Sequence, residues 1–293
     1  MNQDRPPDRA GEIFAALGKS VCYVALFLGI QVAVMLPAIC NAVVQQVVNG
    51  LSSEEVYRLL TADTMTLTLV SGLATIGVVL AFYLVRRKKL GEALWLRAVP
   101  GPALLSVASL MPLLYLLVTT ALMLLPEAWL ESYNQASAGI ATGTLVGVID
   151  TVVVAPIAEE FIFRGLVLNR LSRVMPGWLA VVLSAAVFGA CHGHPVWFAY
   201  AFVLGAVFAL ADLRAGSILP SILGHVFFNL IGQVITFIPE TESGAEIPII
   251  QGVLLVLGLV LLLANRKGVA ALLHPAGEPS GPPEGGDCDP WEE

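Results

Sequence analysis

Long apolar runs alternate with short polar connections along the whole chain. Eight runs stand out, at residues 21–48, 66–85, 103–125, 142–168, 178–192, 196–213, 217–238 and 249–265. A transmembrane helix needs about 20 mostly apolar residues at about 1.5 Å of rise each. The fourth run is long for one crossing and the fifth is short. The pattern predicts an all-α fold, a polytopic membrane helical bundle of about eight transmembrane helices.

The connections between runs carry a charge asymmetry. Lys19 precedes the first run, and Arg86, Arg87, Lys88 and Lys89 follow the second. Arg170 and Arg173 follow the fourth, Arg214 the sixth, and Arg266 with Lys267 the eighth. The alternate connections hold Glu54, Glu55, Glu127, Glu131, Glu240, Glu242 and Glu246, with Arg58 a mild exception. Cytoplasmic loops are the ones enriched in Lys and Arg. The expectation is an integral, multi-pass protein of a bacterial plasma membrane with both termini cytoplasmic and the lipid bilayer as its first partner.

Composition agrees. Hydrophobic residues make up 57% of the chain and charged ones 13%, whereas soluble domains run near half and a quarter. Such a chain must use lipid as part of its solvent. The net charge of −7 says little about partners, because much of it sits in a Pro- and Gly-rich end. That end holds Glu278, Glu284, Asp287, Asp289, Glu292 and Glu293 without a basic residue among them, the signature of a disordered, solvated tail. No nucleic-acid partner is expected. The first run is too long for a signal-peptide core and lacks a small-residue cleavage site, so it reads as an anchor. Cys22, Cys40, Cys191 and Cys288 show no metal or redox spacing and read as small buried hydrophobes. The chain divides into a cytoplasmic segment (1–19), N-terminal scaffold spans (20–140), a polar-bearing transmembrane core (141–267) and the acidic cytoplasmic tail (268–293).

Ionisable residues inside apolar sequence all fall between Asp150 and Asn229. Each costs several kcal/mol at bilayer depth on insertion scales and asks for a partner or a purpose. Glu159 and Glu160 are neighbours, and Arg164 lies four residues after Glu160, acid first, the favourable order for a helical ion pair. Glu159 is turned about 100° away and is not offered that partner. His192 ends the fifth run. His194, against Pro195, reads as a loop or cap residue. His225 and Asn229 are four apart and share one helix face. Taken singly, each has a plain structural reading as an interhelical hydrogen bond.

Depth changes that reading. At 1.5 Å per residue, Glu159 lies about 16 Å from Arg170, His192 about 21 Å from Trp178, and His225 and Asn229 about 14 and 20 Å from Gly216. Four polar residues from three runs reach one layer near mid-bilayer. A carboxylate beside an imidazole can draw a proton from water. A second imidazole and a carboxamide can supply donors to the oxyanion of a tetrahedral intermediate. These are the requirements of amide hydrolysis without a covalent intermediate, and they call for no cofactor. The alternative is a zinc site with Glu159, His192 and His225 as ligands and one position open, although the His-Glu-x-x-His pattern is missing.

The three stretches resemble the motifs of the CPBP family, the CAAX proteases and bacteriocin-processing enzymes of membranes. The family pattern stands here as Glu159-Glu160-x-x-x-Arg164, Phe188-x-x-x-His192 and His225-x-x-x-Asn229, in that order. The resemblance covers residues 144–265. It implies a bundle whose cavity opens toward the cytosol, with Glu159 and His192 activating water, His225 and Asn229 holding the oxyanion, and Glu160 and Arg164 bracing the site. The expected activity is an intramembrane endopeptidase acting on a membrane-embedded or lipidated peptide or protein. A non-catalytic peptide-binding protein of immunity or resistance type would use the same cavity. A small-solute transporter would also explain buried Glu and His, but no paired repeats are visible.

Overall fold

The computed structural model describes residues 9–138, 144–239, 244 and 246–273. The acidic tail from residue 274 on, Cys288, Glu240, Glu242 and the start of the fourth run at Thr142 lie outside the described residues, as do residues 1–8. Every described element is helix or turn, and each of the eight apolar runs contains helix. Helix α1 spans Arg9–Asn49. It starts well before the first apolar run, because Ala, Glu, Leu and Lys between Arg9 and Ser20 are good helix formers and simply extend it. Little of α1 is buried: a narrow stripe at Ala16, Ser20, Tyr23 and Phe27, which recur at helical spacing, and Ala42 further along. Cys22 and Cys40 therefore stand exposed on its flanks, a correction to the buried reading. They face outward because one helix at the rim of a bundle packs along one side only.

A short helix not foreseen from the apolar pattern, α2 (Ser53–Ala62), follows with a full capping box between Ser52 and Glu55. Helix α3 (Thr64–Val85) ends in a left-handed turn at Arg87 (φ 52°), where Lys88 N–H donates to Tyr83 O at 3.0 Å, the longer of the two bonds of a Schellman turn. Pro100 and Pro102 precede the third run and Pro112 lies in the first turn of α4 (Met111–Met123), with short turns at Gly101–Leu104 and Ala108–Leu110 before it. Helix α5 (Glu127–Ala138) fills a connection in which the apolar pattern showed no element. The fourth run is one helical rod, α6, over residues 145–171, and it is irregular. Its turns widen to π-helical form at Asp150–Val154 and again at Phe161–Leu168, on either side of the regular turns Ala155–Glu160. Helices α7 (Gly177–Ala190), α8 (Pro195–Ala215), α9 (Leu219–Thr236), α10 (Glu246–Ala264) and α11 (Arg266–Leu273) complete the chain.

Helices α1, α3, α8, α9 and α10 are each long and apolar enough to cross a membrane, while α7 and residues 108–123 are shorter apolar helices. The protein is an all-α, multi-pass membrane protein. The expected figure of eight crossings adds α4, α6 and α7 to those five.

Hydrogen bonds gather the basic loops on one face. Asn169 Nδ2 donates to Ala93 O (3.1 Å), Ile218 N–H to Trp95 O (3.0 Å) and Ser217 Oγ–H to Arg97 O (2.7 Å). The loop after α3, the end of α6 and the α8–α9 turn thus meet. At the other end of α7, the turn before α8 meets α5: His194 Nε2 and Ser132 Oγ lie 3.1 Å apart, and Tyr133 packs edge-on against Trp197. His194 is the N-cap of α8, its Nδ1 accepting from Val196 N–H, as its place before Pro195 suggested. Helix α9 lies tight on Val107: a Cβ on Gly224 would come 2.2 Å from Val107 Cγ1.

Candidate active site

Helix α6 carries both acidic residues of the first motif, and its irregular turns set where they point. In a π-helical turn the backbone bond skips to i+5, which locally widens the helix. On the two widened turns, backbone carbonyls accept from neighbouring helices: Thr151 O from Asn229 Nδ2 at 2.8 Å, and Phe163 O from Ser184 Oγ–H at 2.9 Å. Helices α9 and α7 are thereby pinned to α6 just above and just below the two glutamates.

Glu160 and Arg164 are completely buried and pair at 3.1 Å through Oε1 and Nη1. Arg164 is held from several sides, though among the described residues its buried Nε finds no partner. Its guanidinium lies 4.2 Å from the centre of the Phe188 ring and 5.3 Å from that of Phe208, and Nη2 donates to Gly205 O at 3.4 Å. A Cβ at position 205 would press on Arg164, Phe188 and Ala185 at 3.0–3.3 Å, so glycine is what lets α8 come this close. A buried pair of this kind is a weak source of net stability, and breaking one partner is expensive. It holds three helices (α6, α7, α8) at a fixed point instead.

His225 joins this pair to Glu159. Its Nδ1–H donates to Glu160 Oε1 at 2.8 Å, and its Nε2 lies 3.8 Å from Glu159 Oε2. Glu160 is sealed, but the Glu159 side chain is 22% exposed, the one carboxylate of the two open to a reactant. It sits within electrostatic range of Asp150 and Cys191. Glu160 thus takes both the guanidinium and the near nitrogen of the imidazole, while Glu159, about 100° round the helix, faces only the far nitrogen.

His192 lies just past the last turn of α7, partly buried. Its Nδ1–H donates to Phe188 O at 2.8 Å, which leaves Nε2 with the lone pair in the neutral ring. The His192 and His225 rings both contact Phe188, at 4.8 and 5.9 Å between centroids and close to perpendicular. Among the described residues, no hydrogen bond joins His192 to Glu159. Asn229 stands one turn beyond His225 on α9, and its Nδ2 is partly engaged by Thr151 O. A carboxamide NH₂ has a second hydrogen to offer.

The structure thus brings Glu159, Glu160, Arg164 and His225 into direct contact, sets His192 against the same aromatic ring, and ties Asn229 to the start of the site. For zinc, the described residues hold no group of three His, Cys, Asp or Glu side chains arranged to bind a metal ion. His225 gives Nδ1–H to Glu160 at 2.8 Å and turns Nε2 toward Glu159 at 3.8 Å, beyond hydrogen-bond length.

Two buried acids escaped the motif reading. Asp212 on α8 is fully buried, accepts from Ser221 N–H at 3.2 Å through Oδ1, and has no partner for Oδ2. Asp150 is buried against α3, near Gly72, with Oδ1 unpartnered. Both carry the signal of a carboxylate inside an apolar run, but no spacing distinguishes them. Phe208 and Gly205 gave no signal at all.

Comparison with known proteins places this region. Residues 141–231 match the family described as type II CAAX prenyl endopeptidase Rce1-like. Human CAAX prenyl protease 2 is 29% identical over 131 residues, covering 38% of this chain and 40% of that protein. The chain thus spans 40% of the length of the curated relative it matches. No solved structure matches the chain.

Proposed function

With a domain of the Rce1-like type II CAAX prenyl endopeptidase family at residues 141–231, we propose that this protein is an intramembrane endopeptidase that hydrolyses a peptide bond of a membrane-associated, lipidated or hydrophobic peptide. The observation that carries the reading is the partly exposed Glu159 carboxylate 3.8 Å from His225 Nε2, beside a sealed Glu160–Arg164 pair.

In the proposed step, a water molecule beside Glu159 and His192 loses a proton to the Glu159 carboxylate. His192 Nε2 helps to hold and polarise that water. The hydroxide oxygen bonds to the scissile carbonyl carbon, and the carbonyl electron pair moves onto oxygen. Asn229 Nδ2–H and, with the ring protonated on both nitrogens, His225 Nε2–H donate to this oxyanion, placed in advance in a site largely shielded from solvent. Glu159 then returns its proton to the amide nitrogen, the oxyanion's electron pair re-forms the C=O bond, the C–N bond breaks, and a carboxylic acid and an amine leave. Glu160 accepts from His225 Nδ1 and keeps the ring upright.

One geometric fact supports a second reading. With Nδ1–H given to Glu160, the neutral His225 ring presents a lone pair, not a proton, to Glu159. In that case His225 and Glu159 activate the water, and His192 serves the oxyanion only with its ring protonated, since its Nδ1–H is given to Phe188 O. Gln at either position keeps a donor and removes the base.

The test is cleavage of a membrane-peptide library by the purified protein in nanodiscs. Glu159→Gln should lower turnover by at least about 100-fold. His225→Gln retaining much more activity than His192→Gln supports the first assignment, and the reverse order supports the second. Unchanged cleavage in Glu159→Gln overturns the mechanism, and wild-type binding without cleavage leaves a non-catalytic peptide binder. Zinc analysis of the active protein, with activity after chelation and zinc return, decides the metal alternative.

A further inference from the structure

The turn between α8 and α9 is built around one side chain that the proposed chemistry does not use. Asp212 is completely buried three residues before the end of α8. Its backbone carbonyl accepts from Gly216 N–H (2.8 Å) and Ser217 N–H (3.3 Å), closing α8 through the left-handed Gly216. Its side chain reaches across the turn, where Oδ1 accepts from Ser221 N–H at 3.2 Å.

Ser221 is the third residue of α9, after Leu219 and Pro220. The first four N–H groups of a helix have no partner within it. Proline removes one of these at position 220. Leu219 N–H finds Ser217 Oγ at 3.3 Å, and Ser221 N–H finds Asp212. Residue 218 is the residue that precedes α9, and its isoleucine side chain offers no acceptor, so the cap of α9 is supplied from the preceding helix. The same face of α8 holds Arg164: Gly205 lies seven residues, two turns, before Asp212. One turn along α9 from Ser221 stands His225, whose Nδ1 binds Glu160.

We infer that Asp212 is a positioning residue for His225, acting by capping α9 through Ser221 N–H and so holding the imidazole at hydrogen-bond distance from Glu160. The inference rests on the protease reading for its effect on turnover, but the geometry it asserts is independent of any activity.

Two variants separate a cap from a charge. Asp212→Asn keeps an oxygen for Ser221 N–H, and Asp212→Ala removes it. The first readout is ¹⁵N-histidine NMR of the protein in nanodiscs, following the proton on His225 Nδ1. It should keep its low-field position in the wild type and in Asp212→Asn, and move upfield in Asp212→Ala. Arg164→Ala is not suited as a control, since it removes the partner of Glu160. The His192 signals should not move in either variant. The second readout is cleavage, in which Asp212→Ala should lose roughly 10- to 100-fold in kcat, the scale of an ångström-level misplacement, with KM within about twofold. Asp212→Asn should stay within about threefold of wild type in both.

An unmoved His225 proton in a folded Asp212→Ala overturns the inference. So does an Asp212→Asn variant as impaired as Asp212→Ala, which would assign the effect to charge. If Asp212→Ala does not fold, Ser221→Pro, which deletes the donor while leaving the acid, must shift the His225 proton, and its failure to do so is equally fatal. A wild-type protein that shows the NMR pattern but cuts no peptide removes the protease reading and leaves the positioning role standing.

Discussion

Gly224→Ala probes how closely the second histidine is held. A Cβ at this position would stand 2.2 Å from Val107 Cγ1 and 2.9 Å from Val107 Cβ. Carbon contacts become favourable near 3.5 Å, so about 1.3 Å of relief is needed. Val107 is fully buried and packed with Met111 and Phe208, so turning it in place only transfers the clash. The open path is a shift of α9 away from residue 107. Position 225 is the next residue, and its 2.8 Å bond to Glu160, like the 2.8 Å bond of Asn229 to Thr151 O, leaves the hydrogen-bonding range if α9 moves by about 1 Å. Overpacking of this size costs about 1–3 kcal/mol, and the displaced imidazole should reduce turnover roughly 100-fold. Thermal unfolding in nanodiscs and steady-state cleavage measure the two effects. Val107→Ala removes Cγ1 and leaves the 2.9 Å contact, so the double variant should recover most of the loss, with a coupling of at least about 1 kcal/mol. A Gly224→Ala protein with wild-type stability and turnover, or a double variant that recovers nothing, refutes the packing argument.

Other expectations follow from single contacts. Arg164→Met strands the sealed Glu160 carboxylate and should destabilise the fold by about 3–5 kcal/mol, with part returned by Glu160→Gln in the same chain; thermal unfolding reads both. Glu55 accepts the N–H and O–H of Ser52, each at 2.8 Å, which holds its carboxyl below the usual range. An acid depressed in the folded state contributes above its unfolded value and loses that contribution as pH falls through its folded one. The Ser52 amide resonance should therefore shift as pH falls below the ordinary glutamate range, and Glu55→Gln should abolish the response. Finally, Lys267→Cys should label with a membrane-impermeant thiol reagent only after permeabilisation, and Glu127→Cys in intact cells, in a background with the native cysteines replaced. The opposite pattern inverts the proposed orientation.

The eight apolar runs and the charged loops made the helical membrane character legible from sequence, because lipid demands length and apolarity of every span and tolerates few exceptions. The Glu160–Arg164 contact was legible for a local reason: residues four apart on a helix face one another whatever surrounds them. The capping box of α2 is local in the same sense. Other features were out of reach. The outward face of Cys22 and Cys40 depends on how much of a rim helix its neighbours cover, and no window of sequence contains that.

Depth along each span placed Glu159, His192, His225 and Asn229 in one layer, but a layer is not a contact. Only the tertiary structure chose which imidazole meets which carboxylate. It turned His225 to bridge Glu159 and Glu160, gave His192 to the carbonyl of Phe188, and drew Asn229 onto Thr151 through a widened turn of α6. It also brought in Asp212, Gly205 and Phe208, which no spacing announces. Sequence periodicity sets the direction of a side chain about its own helix axis; the rotation, offset and approach of separate helices come from side-chain packing between residues far apart in the chain.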